Sequence, residues 1–155
     1  MIKIIAIMII LTIVNAACHP HKAQTAIILP KQGIVGTVLQ LTGNRMPAKN
    51  AKPILPRGIS AEVYVYQKTN ITQTERFGGG ATYSAIHTRQ ITSITTDSAG
   101  KFMVLLPVGS YSLFIKKQNR YYANSFDANN NINVVVVDRD KLTNVTLMDT
   151  EGATF

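Results

Sequence analysis

The chain has 155 residues, 46% of them apolar, with a formal charge of +8 and one cysteine. That length suggests one domain, able to hide roughly two thirds of its unfolded surface, and the apolar share excludes a disordered chain. The positive charge is scattered; its nearest clusters are Arg45, Lys49, Lys52 and Arg57, then Lys116, Lys117 and Arg120. Neither cluster has the aromatic interleaving or the reader motif of a nucleic-acid-binding surface, so no nucleic-acid partner is expected.

The amino terminus reads "MIKIIAIMIILTIVNAAC". An early Lys3, an apolar run from Ile4 to Val14 and then small residues have the layout of a cleavable signal peptide over residues 1–17. The run is shorter than the ~20 residues a bilayer span needs. Cys18 follows Ala16 and Ala17, and a lone thiol in an exported chain has no internal disulfide partner. Residues 18–32 read as a tether with two prolines. Its "AIIL" is also compatible with a short first strand. His19 and His21 alone do not make a metal site, and only His87 remains elsewhere, so no metal or cofactor is expected.

From Gly33 the apolar period is two. "GIVGTVLQL" is β-branched and ends at the turn "TGNRMP"; Pro47, Pro53 and Pro56 then argue against a helix. In "ISAEVYVYQ", Ala61, Val63 and Val65 fall on one side and Glu62, Tyr64 and Tyr66 on the other. "FGGGATYS" reads as a mobile tip; a phosphate loop would need a helix start and usually a lysine after it. "IHTRQITSIT" suits an edge or half-exposed strand. "KFMVLLP" and "YSLFIK" form a hairpin, preceded by an Asp97–Gly100 turn and joined through Pro107 and Gly109. "INVVVV" is apolar enough for a central strand, and "LTNVTLM" closes the set. Seven or so short strands with regular turn signals predict a β-sandwich over residues 33–149, followed by a tail, residues 150–155.

Four pieces carry a resemblance: "GIVGTVLQLTGNRMP", "ISAEVYVYQ", "TTDSAGKFMVLLPVGSYSLFIKK" and "INVVVVDRDKLTNVTL". Together they resemble the carboxypeptidase regulatory-like domain, one of the transthyretin-like sandwiches. The chain departs from the compact form by longer stretches at 45–58 and 69–85. The resemblance implies an all-β, seven-stranded antiparallel Greek-key sandwich and a non-catalytic structural, docking or ligand-binding role. The start of the chain resembles a bacterial lipoprotein, although Asn15 stands where leucine is commonest. That resemblance implies acylation of Cys18 and anchoring to a membrane of the cell envelope, the outer membrane being the expected one; without acylation the chain would be secreted.

No enzymatic pattern emerges. The chain lacks the tail and paired histidines of transthyretin-like hydrolases, any H-x-x-E ligand pair and any G-x-S-x-G nucleophile. A Lys–Asn isopeptide bond, known in related pilin repeats, is not expected, because Lys116 and Lys117 occupy the place of the assisting acid. Among Glu62, Glu75, Asp97 and Asp127, the two aspartates fit turn roles better than paired catalytic carboxylates. Asp138 and Asp140 offer too few oxygens for calcium and fit a solvated turn. Arg120, Tyr121, Tyr122 and Phe126 are the candidate partner-binding residues, for an envelope protein or a polysaccharide. The same rings equally fit a strand end packed on the core. The alternative function is a small envelope hydrolase or enzyme accessory subunit whose residues meet only in the fold.

Overall fold

The structure is a computed structural model and describes residues 31–46 and 54–155. The leader and Cys18 lie outside the described residues, as does most of the tether. Thirteen strands follow in chain order: β1 (Gly33–Gln40), β2 (Gly43–Asn44), β3 (Arg57–Gly58), β4 (Glu62–Gln67), β5 (Thr74–Arg76), β6 (Thr82–Ile86) and β7 (Gln90–Thr95). Then come β8 (Lys101–Leu105), β9 (Gly109–Lys117), β10 (Arg120–Tyr122), β11 (Val134–Val137), β12 (Leu142–Asp149) and β13 (Ala153–Thr154). One 3-10 turn, Ile71–Gln73, interrupts them, capped by Asn70.

The chain is an all-β sandwich. The smaller sheet centres on β1, with β12 along one side and β8 and β3 sharing the other. The larger runs β5-β6-β10-β9-β4-β7, with β11 beside β9 on the same side as β10. Most pairings are antiparallel, whereas β1 and β12, the first and last long strands, run parallel. Eight of these strands have four residues or more; the other five are two- and three-residue segments that the sheets recruit.

Period-two alternation explains the layers. Val63, Val65, Leu113 and Ile115 face the smaller sheet and meet Ile34, Val38, Phe102 and Leu147 in one core. Tyr64, Tyr66 and Phe114 face the other way, into a second cluster with Tyr83, Ala123 and Ile132. Each large side chain so buried contributes about 1.5–3 kcal/mol. β7 is an edge strand, as its sequence suggests. The expected hairpin of "KFMVLLP" and "YSLFIK" does not form: β8 pairs with β1 in the smaller sheet and β9 with β4, β10 and β11 in the larger, so the turn through Pro107 and Gly109 crosses between the sheets. The run "INVVVV" is not central: β11 pairs only with β9, and Val136 is 52% exposed. Its apolar character comes instead from facing two ways at a corner, where Val135 and Val137 enter the inner core and Ile132 the outer cluster. The glycine-rich tip is limited to residues 77–81, since Thr82 to Ser84 already belong to β6. The tail is also partly ordered, because β13 pairs with β2.

The Asp97–Gly100 turn closes as its sequence implies. The Asp97 carboxylate accepts from the N–H groups of Ala99 (2.9 Å) and Lys101 (2.7 Å). Gly100 sits at φ +79°, and a Cβ there would fall 2.2 Å from the Val38 carbonyl oxygen. Gly100→Ala therefore meets both left-handed strain and a backbone clash. It should cost roughly 3 kcal/mol, read as a lower urea midpoint; an unchanged midpoint would show that this turn does not set the approach of β8 to β1.

A candidate binding groove at β10

The β9–β10 hairpin turns through Gln118, at φ +52°, and its alternation separates the predicted binding residues. Tyr121 faces the outer cluster, in edge-to-face contact with Tyr64 (5.6 Å between centroids), Tyr66 (5.9 Å) and Phe114 (6.4 Å). The Lys116 ammonium stands 4.0 Å over its ring. Burial, then the Tyr121 hydroxyl, holds the Tyr66 phenol well above its ordinary range. Arg120 and Tyr122 turn to the opposite face. Phe126 stands apart, 43% exposed and bridged to Ile132. Of the four candidates, the fold thus brings Arg120 and Tyr122 together.

Behind these two lies a polar wall built from the end of β12. Asp149 is 1% exposed, and its carboxylate accepts from Lys117 Nζ at 2.5 Å and Gln40 Nε2 at 3.2 Å. Its other oxygen accepts from the Glu151 N–H at 3.2 Å. Glu151 lies 3.6 Å from Lys117 Nζ and accepts from the Thr82 hydroxyl. The Tyr122 hydroxyl accepts from the Thr150 N–H at 3.1 Å and lies 2.8 Å from the Thr150 hydroxyl. The two acids that reach Lys117 come from positions 32 and 34 residues downstream, and no local spacing announces them.

In front of the wall is a groove of about 410 Å³ between the 77–81 loop and β10, lined by Phe77, Ala81, Thr82, Tyr122 and Asn124 among others. A second hollow of about 340 Å³ adjoins it, lined by Lys116, Lys117 and Gln118. Arg120 and Glu151 line both. The Arg120 guanidinium lies 4.0 Å over the Phe77 ring, and no acid stands within ion-pair distance of it among the described residues. An arginine over the face of an aromatic ring keeps its donors free for a ligand.

The other sequence candidates lie elsewhere. The Asp127 carboxylate accepts from the N–H groups of Asn129 and Asn131, both at 2.8 Å, and from the Asn131 side chain at 2.8 Å. It closes its own turn, as Asp97 does. His87 lies 3.2 Å from Glu75, both more than half exposed. Asp138 lies 3.7 Å from Lys141 at the surface. Among the described residues, no three of His, Cys, Asp and Glu group as metal ligands would, and no helix is long and apolar enough to cross a membrane. No protein-family model matches the chain, and no curated protein sequence matches it.

The Asp149 clamp and the Asp127 turn give separate tests. Lys117→Met strands a buried carboxylate and should cost roughly 3 kcal/mol in denaturant melts, whereas adding Asp149→Leu should restore most of it. No recovery in the double variant would mean the pair is not the source of the loss. At Asp127, hydrogen bonds from the Asn131 side chain and backbone hold the carboxyl below its ordinary value of 3.8. A depressed folded value contributes stability above 3.8 that is lost as pH falls through the folded value. Asp127→Asn should therefore flatten the fall in urea midpoint between about pH 6 and about pH 2; an undiminished fall would clear Asp127 of a part in it.

Proposed function

We propose that this chain is a membrane-tethered, non-catalytic binding module of the bacterial envelope. Cys18 carries the lipid, and the β10 groove holds a segment of an envelope protein or a glycan. The observation that carries the reading is the Arg120 guanidinium, stacked on Phe77 and lining both hollows without an acidic partner among the described residues. Stacked arginine beside an aromatic floor is a common interface anchor. The groups behind it are engaged with each other: Asp149 with Lys117 and Gln40, Tyr122 with Thr150.

Affinity capture with the full chain from solubilised envelope tests the groove. Arg120→Ala should cut recovery of the retained partner or glycan by roughly tenfold or more, the loss expected of an interface anchor. Equal recovery by Arg120→Ala and the parent would remove the groove from the function. The anchor is tested separately by fatty-acid labelling: Cys18→Ser should abolish it, and equal labelling would refute lipidation.

A further inference from the structure

The two ends of the sandwich differ in chemistry, and the tether joins one of them. β1 starts at Gly33, pinned between two turns. Gly33 donates to the Lys141 carbonyl at 3.0 Å, and the Gln32 carbonyl accepts from Leu106 at 3.2 Å. The Gln32 side chain accepts from the Asp140 N–H at 3.1 Å. The first described residues, Lys31 and Gln32, therefore lie at this end of the body.

This end also exposes apolar side chains. Leu105 and Leu142 are both register partners of Gly33, one on each side, with no side chain between them. They are 40% and 44% exposed. Val108, in the turn between β8 and β9, is 54% exposed. Val136 is held to β12 by a 2.7 Å bond from the Thr143 hydroxyl to its carbonyl. The cations Lys31, Arg139 and Lys141 are exposed at the same end. Asp138 and Asp140 are exposed in the same turn, so three cations face two acids; Lys141 lies within ion-pair distance of Asp138, and Lys31 and Arg139 have no acid that close among the described residues.

We infer that this end of the sandwich lies on an anionic bilayer, with Leu105, Val108, Val136 and Leu142 in the headgroup region and Lys31 and Arg139 on lipid phosphates. Exposed apolar groups flanked by cations without a close acid, here Lys31 and Arg139, are what an anionic lipid interface accommodates. The tether selects this occupant over a second copy or a protein. The segment 18–32 reaches roughly 50 Å when fully extended, so an anchor at Cys18 keeps this end near the lipid. The inference rests on that anchoring, and its test is arranged to fail independently of it.

The chain contains no tryptophan, so one introduced indole reports its own surroundings. Val108→Trp and, at the opposite end, Phe155→Trp would be made in the full chain. Each would be reconstituted in phosphatidylethanolamine–phosphatidylglycerol vesicles with brominated acyl chains. The indole at 108 should emit at shorter wavelength and be quenched several-fold more than that at 155. Leu142→Glu in the same background, or high salt, should reduce the quenching. Equal quenching at the two positions would overturn the inference, as would a blue-shifted Val108→Trp in the absence of vesicles, which would indicate self-association. Loss of the anchor would register in the labelling of Cys18→Ser, whereas the contrast between the two indoles decides the orientation.

Discussion

Strand β9 is buried on both faces, and the rest of the molecule is arranged to satisfy that constraint. From Tyr111 to Ile115 every side chain is buried. Tyr111, Leu113 and Ile115 need a sheet opposite them, which β1, β8 and β12 supply. Phe114 needs cover on the other side, where no further sheet stands among the described residues. The cover comes from Tyr64, Tyr66, Tyr83 and Tyr121, interlocked edge to face, with Ile71 and Ile132 from the long connections. The long stretch between β4 and β7 thus has a structural use. The 69–85 stretch brings in the capped turn at Ile71 and, as β5 and β6, widens the larger sheet.

A second constraint follows at the end of β9. Lys117 is the strand's last residue, and it meets the buried carboxylate of Asp149 at the end of β12, in the other sheet. A buried ion pair is poor value as a source of stability, since desolvation offsets much of the attraction. Its consequence here is registration: it ties the far ends of the two sheets together and fixes where Thr150 and Glu151 leave β12. Tyr122 is then held by Thr150, so the groove wall is set by the pair rather than by loops alone.

The layers were legible in the sequence because alternation is a local signal. "ISAEVYVYQ" assigns each residue to a face, and the structure puts Val63 and Tyr64 where that pattern sends them. The turns at Asp97 and Asp127 were legible for the same reason, since an aspartate two residues before a free N–H is a local device. Three things were not legible. The run "INVVVV" could not reveal that it lies at a corner, because a two-sided apolar strand reads the same in the middle of a sheet as beside an open end. The short strands β2, β3 and β13 exist only through their partners. Of the candidate site, the basic and aromatic cluster at 116–122 was visible, but which of its members share a face depends on the register of β10 against β9. The acids that meet Lys117 arrive from the last strand. Long-range pairing carries no spacing rule, and that is why the groove emerges only in three dimensions.

The position of the groove agrees with the direction of β9. The strand begins at Gly109, beside the exposed Val108 and the turns that grip Gln32, and it ends at Lys117, on the hollow shared by Arg120 and Glu151. Nine residues at ~3.3 Å each separate the two by roughly 25–30 Å. A body resting on lipid at the first point would therefore lift the second clear of the headgroups, since the charged surface attracts only within about 10 Å at ordinary salt. Arg120 would then be free to select a ligand from the aqueous compartment rather than being captured by phospholipid, which is the arrangement a tethered binding module requires.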